Sequence, residues 1–104
     1  MLKSKFKNII KISNNLKISN NNKCFIVAEI SANHAGSLSL LKKTMLKAKQ
    51  AGASAVKIQT YQANTITLNV KNKHFLIDDK SIWKGKYLYE LYKSAETSFD
   101  WHKE

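Results

Sequence analysis

Glu29 stands inside an apolar run, Phe25-Ile26-Val27-Ala28-Glu29-Ile30, and Asn33 and His34 follow it closely. A carboxylate in a buried strand is costly unless it is paired or hydrogen-bonded. A second apolar stretch, Ser54-Ala55-Val56-Lys57-Ile58-Gln59-Thr60, carries an ammonium and a carboxamide at alternate positions. Brought together, a carboxylate, an ammonium and a carboxamide either satisfy one another or meet a polar ligand. Which of the two applies depends on the elements that position them.

Those elements are legible from local signals. Residues 24–30, CFIVAEI, form a nearly continuous apolar run, as in a parallel strand buried on both faces, with Cys24 a small apolar residue at its start. Gly36 and Ser37 mark a turn, and Ser37 suits a helix N-cap. Leu38, Leu41, Met45 and Ala48 then recur at three- and four-residue steps, while Lys42, Lys43, Lys47 and Lys49 fall mostly elsewhere, so an amphipathic helix runs to a stop at Gly52. Residues 54–60 are the second strand. Strand, helix and strand read as a βαβ crossover with a right-handed connection. Alternation puts Ile26, Ala28 and Ile30 on one face of the first strand and Glu29 on the other. In the second strand, Val56 and Ile58 oppose Lys57 and Gln59. If the apolar faces lie under the helix, Glu29, Lys57 and Gln59 point together to the other side, near the carboxyl ends of adjacent parallel strands. Ligands bind there in open sheets and in (β/α) barrels. The plainer alternative is a buried Glu29–Lys57 pair that only satisfies itself, but such pairs stabilise poorly against apolar packing. The balance favours a site.

The rest of the chain bounds the possibilities. With 104 residues and an ordinary apolar fraction, it is at most one small domain or a piece of something larger. Its net charge of +11 comes with 18 basic residues, all lysine. The bidentate arginine fork that reads guanine or phosphate is missing and the lysines are scattered, so no nucleic-acid partner is expected and a solvated surface is. A single cysteine rules out an internal disulfide. No run reaches the length of a membrane span, and the basic start lacks the continuous apolar core of a secretory signal. A cytoplasmic protein is the expectation. Leu2, Phe6, Ile9 and Ile10 have the spacing of a short amphipathic helix that could lie on a surface. Ile10 and Ile12 alternate around Lys11, and Leu16 and Ile18 around Lys17. Asn14-Asn15 between them predicts a small hairpin within a Lys- and Asn-rich arm, residues 1–23.

The stretch FIVAEISANHAGSLSLLKKTMLKAKQAGASAVKIQTY carries Ala28-Glu29, Asn33-His34, Gly36-Ser37, Ala51-Gly52-Ala53 and Val56-Lys57-Ile58-Gln59-Thr60. In that order these resemble the amino-terminal signature of the sialic acid synthase family. Thr65 to Leu68, Trp83, Gly85, the Leu88–Tyr92 block and Trp101-His102-Lys103-Glu104 resemble its pseudaminic acid synthase branch. Ser98 stands near a position where members often carry proline at a helix start. The resemblance implies an α/β fold, the first βαβ part of a (β/α)8 TIM barrel that is incomplete in this chain, with residues 24–104 as its amino-terminal portion. Such a barrel takes about 250 residues.

The resemblance also implies a chemistry: condensation of phosphoenolpyruvate with an open-chain acetamido-deoxy hexose, giving a nine-carbon 2-keto sugar acid and phosphate. N-acetylneuraminate and legionaminate synthases are the near alternatives, and a noncatalytic binding or dimerisation module is the alternative from another class. A divalent metal, Mn²⁺ or Mg²⁺, is implied with ligands outside this chain, as is a homodimer of the whole synthase. Glu29 is then the catalytic residue and a sugar ligand. Lys57 meets the carboxylate or phosphate of phosphoenolpyruvate, Gln59 the sugar, and Asn33 and Thr60 complete the substrate-binding set. His34 is expected as a loop anchor rather than a catalyst. His34, His74, His102 and Cys24 share no ligand spacing, so no metal site is assigned among them. Trp83, Tyr87, Tyr89, Tyr92 and Trp101 are expected to pack in a core rather than stack bases. Residues 61–85 read as a long connection of the kind that serves as a lid.

Overall fold

The computed structural model describes residues 9–104 as a mixed α/β chain. A hairpin comes first, with β1 (Ile9–Ser13) antiparallel to β2 (Leu16–Ser19). Asn14 and Asn15 make its turn, and a register shift between Lys11 and Ser13 bends it. Ile9 and Ile10 are therefore strand residues and not part of a helix, while Leu2 and Phe6 lie outside the described residues. The hairpin ends beside Phe25 and Ser54, which stand at the amino-terminal ends of the next two strands.

Strand β3 (Val27–Ser31) pairs in parallel with β4 (Ala55–Ile58), and α1 (Leu38–Gln50) joins them. The helix forms where its signals stand. The Ser37 hydroxyl accepts from the Leu40 amide at 3.2 Å, and Gly52, at φ 98°, takes the left-handed conformation that ends it. The expected stripe is the one turned inward: Leu41 is buried, and Leu38, Met45 and Ala48 are half-buried. Ile30 of β3 joins Leu41 in the small core.

Two expectations for the first strand need correction. Pairing begins at Val27 opposite Ala55, so Cys24 precedes the strand and is exposed rather than packed at its start. Nor is the strand buried on both faces, since Val27 is half exposed and Glu29 is exposed. The sheet has two strands among the described residues, and α1 is the described element that packs most against them.

Residues 61–85 are not one structureless connection. They contain α2 (Ala63–Ile66) and a series of turns, and Leu76 pairs with Tyr87. Ala63, fully buried, packs α2 toward α3 (Leu88–Ser94), on which Leu88, Leu91 and Tyr92 form the expected half-buried stripe. Tyr92 meets Tyr61 edge-on with ring centroids 6.1 Å apart. Trp83, in contrast, is exposed; its turn projects from this layer rather than packing into it. A 3₁₀ helix, Phe99–Lys103, closes the described chain behind Ser98, whose hydroxyl accepts from the Asp100 amide.

Candidate active site at the carboxyl ends of two parallel strands

The register sets Glu29 directly opposite Lys57, and the Lys57 ammonium donates to Glu29 Oε2 at 2.5 Å. The pair is not buried: the side chains are 45% and 68% exposed, so neither charge carries the full cost of burial that the sequence suggested. Among the described residues both charged groups are open to solvent. The Lys57 hydrogen bond holds the Glu29 carboxyl below its ordinary range, with the Ser31 amide, donating to Oε1 at 2.9 Å, acting in the same direction. Glu29 is thus a carboxylate at neutral pH with an ammonium fixed against it.

Beyond this pair the strand ends are bound to each other through Ser31. A bulge between Glu29 and Ser31 leaves Ser31 at φ 58°, a conformation uncommon for a residue with a side chain. Its hydroxyl donates to Gln59 Oε1 at 3.1 Å, and its carbonyl accepts from the Gln59 amide at 3.0 Å. Gln59 is therefore brought to the same mouth as Glu29 and Lys57. Backbone held in such a sparsely populated region recurs at ligand sites.

Asn33 sits in the loop that follows, exposed, its carboxamide donating to the Ile30 carbonyl at 3.1 Å. Its visible task is to shape that loop. The second strand is shorter than the expected 54–60, so Thr60 follows β4 rather than ending it, and its hydroxyl lies 2.8 Å from His102 Nε2. His34 is fully buried. The Gly36 amide donates to its Nδ1 at 3.1 Å, so Nε2 carries the proton and donates to Thr97 Oγ1 at 2.8 Å. Thr97 in turn donates to the Gln59 carbonyl at 2.8 Å. Trp101 stands edge-on to the His34 ring, with centroids 4.9 Å apart. Burial holds the His34 imidazole below its ordinary pKa, so it is a neutral structural group.

Sequence reasoning missed Glu96, Thr97 and the place of His102. Glu96 Oε1 accepts from the Ala63 amide at 2.7 Å and fixes the start of α2 directly after Thr60. No spacing announces these partners, because they lie tens of residues from what they touch. Among the described residues no group of three or more His, Cys, Asp and Glu side chains stands together to hold a metal ion.

The family model described as the NeuB family matches residues 44–104, more than half of the chain. The chain belongs to the NeuB family. This is the sialic acid synthase family, and its match includes Lys57, Gln59 and Thr60. The NeuB-family chain is 50% identical over 82 residues to the pseudaminic acid synthase of Campylobacter jejuni, covering 79% of this chain and 24% of that protein. The pseudaminic acid synthase of Helicobacter pylori is 46% identical over 79 residues, covering 76% of this chain and 23% of the relative. The N,N'-diacetyllegionaminic acid synthase of Legionella pneumophila is 35% identical over 89 residues, covering 76% and 22%. This NeuB-family chain thus spans about a quarter of the length of these relatives.

Proposed function

We propose that this chain supplies the first strands and part of the active site of a pseudaminic-acid-type synthase, a TIM-barrel transferase that works in the cytoplasm as a homodimer. The observation that carries the reading is the Glu29–Lys57 pair, exposed and opposed in register at the carboxyl ends of two parallel strands. In the proposed reaction the methylene carbon of phosphoenolpyruvate forms a bond to the aldehyde carbon of an acetamido-deoxy hexose. Water adds at the enol carbon, and the carbon–oxygen bond to phosphate breaks, releasing inorganic phosphate and a nine-carbon 2-keto acid. Lys57 offers its ammonium to the carboxylate or phosphate of phosphoenolpyruvate. Glu29 accepts from sugar hydroxyls and orients the aldehyde. Gln59 and Thr60 hydrogen-bond to the sugar, and Asn33 sets the loop above it. The divalent metal that the family resemblance implies finds no ligand set among the described residues, so its ligands are assigned to other parts of the synthase and none of the roles above depends on it. A legionaminate or N-acetylneuraminate synthase is the second reading, supported by the weaker 35% identity to the legionaminic acid relative.

The test places residues 23–104 in the corresponding stretch of the Campylobacter jejuni synthase and follows phosphate release from phosphoenolpyruvate with a panel of acetamido sugars. Release with the pseudaminic-type sugar is expected. Lys57→Met and Glu29→Gln are each expected to lower kcat/KM by roughly a hundredfold or more, the scale of losing a charged group at a reacting centre. Because the pair is exposed, the melting temperature should barely move. Near-normal turnover in both variants would reject the assignment.

A further inference from the structure

The hydrogen bonds around His34 form one directed chain. It runs from the Gly36 amide to His34 Nδ1, from Nε2–H to Thr97 Oγ1, and from the Thr97 hydroxyl to the Gln59 carbonyl. Each link joins a different part of the molecule: the loop before α1, the segment before the 3₁₀ helix, and the end of β4. His34 and Thr97 are also the largest fully buried side chains among the described residues, in a chain where few side chains are buried at all. A molecule that leaves most of its apolar side chains half exposed has enclosed two polar ones.

We infer that His34 and Thr97 are positioning residues that fix the peptide of Gln59, and through it the directions in which Lys57, Gln59 and Thr60 present their side chains. This rests on the site proposed above. Gln59 is held on three sides: its amide by the Ser31 carbonyl, its side chain by the Ser31 hydroxyl, and its carbonyl by Thr97. The first two bonds come from β3 and accompany strand pairing. The third comes from outside the sheet and is the one that stops the strand end from rotating. Without Thr97 the Gln59 carbonyl is left to water, and residues 59 and 60 lose their reference to the loop that carries Asn33. Trp101, edge-on to the imidazole, and His102, against Thr60, bring the 3₁₀ helix into the same assembly, so one buried imidazole keys both sides of the mouth.

The test is hydrogen–deuterium exchange of the 104-residue chain, resolved by peptide and read beside three variants. His34→Phe fills the space but removes both ring nitrogens. His34→Gln keeps an N–H donor at nearly the Nε2 position. Thr97→Val keeps the shape of threonine without the hydroxyl. His34→Phe and Thr97→Val are each expected to accelerate exchange in residues 57–62 by about tenfold, the effect of losing one buried hydrogen bond. His34→Gln should restore most of the protection. The hairpin and the middle of α1 should not change in any variant. Acceleration confined to residues near the substitution, or no rescue by His34→Gln, would overturn the inference. The readout needs no catalysis: if the transplanted synthase proves inactive while the exchange pattern holds, the functional reading fails and the positioning role stands.

Discussion

At the scale of single residues, the chain separates two kinds of polar group. Glu29 and Lys57 are paired yet open to solvent, whereas His34 is enclosed and neutral. Their responses to acid should therefore differ. The folded His34 pKa lies below the ordinary 6.5, because burial disfavours the imidazolium, so the unfolded chain binds more protons than the folded one. The stability His34 contributes is complete above its unfolded pKa and is lost as pH falls below that value toward the folded one. Protonation would also place a hydrogen on Nδ1, where the Gly36 amide already donates. The Glu29 carboxyl, held low, loses its contribution only below its ordinary 4.5. Melting followed by circular dichroism at low micromolar concentration should show the parent weakening over the interval just below pH 6.5, the ordinary value of an imidazole. His34→Gln should flatten that interval while leaving the fall at lower pH. An identical profile for both proteins would contradict the neutral buried assignment.

At the scale of elements, α1 is the best-specified part of the chain. Its cap, its stripe and its glycine stop are all local, and each was readable from neighbouring residues. Ser37→Ala removes the hydroxyl that accepts from the Leu40 amide and should cost about 1 kcal/mol, seen as a lower urea midpoint. Ser37→Asp should recover that loss, since no acidic residue otherwise stands in the first turn. The strands were less legible. Apolar character runs back to Cys24, but pairing decides where a strand begins: Ser54 bonds back no further than Ile26, and the regular ladder starts with Val27 opposite Ala55. The alternation of side chains did place Glu29, Lys57 and Gln59 at one mouth, because period two is local information. The bonds of His34 to Thr97 and of Thr60 to His102 span 63 and 42 residues, and no periodicity carries across such distances.

At the scale of the whole molecule, the described structure is open. Its radius of gyration is 18.9 Å. A compact chain of this length would have about 13 Å. Ile26, just before β3, and Val27, its first residue, are 55% and 49% exposed, and Leu40 and Leu46 of α1 are likewise exposed. An unpaired strand edge beside such surface invites association. Sedimentation velocity of the isolated 104-residue chain should show concentration-dependent self-association. The same preparation should release no phosphate from phosphoenolpyruvate with any acetamido sugar and Mn²⁺. A monomer that turns over would show that the two strands and their loops suffice for the chemistry.

The bond between His34 and Thr97 also bears on how the protein is made. A ribosome adding about 5–20 residues per second separates the emergence of these two side chains, 63 positions apart, by roughly 3 to 13 seconds. The parallel pairing of β3 with β4 can form as soon as Ile58 is free, and Asn33 can shape its loop earlier still, since its partner Ile30 is a near neighbour. For the seconds that follow, the imidazole waits beside a finished strand pair with its Nε2 proton unclaimed by protein. The mouth of the site is thus completed after its strands have paired, by a threonine that reaches back to residues made seconds earlier.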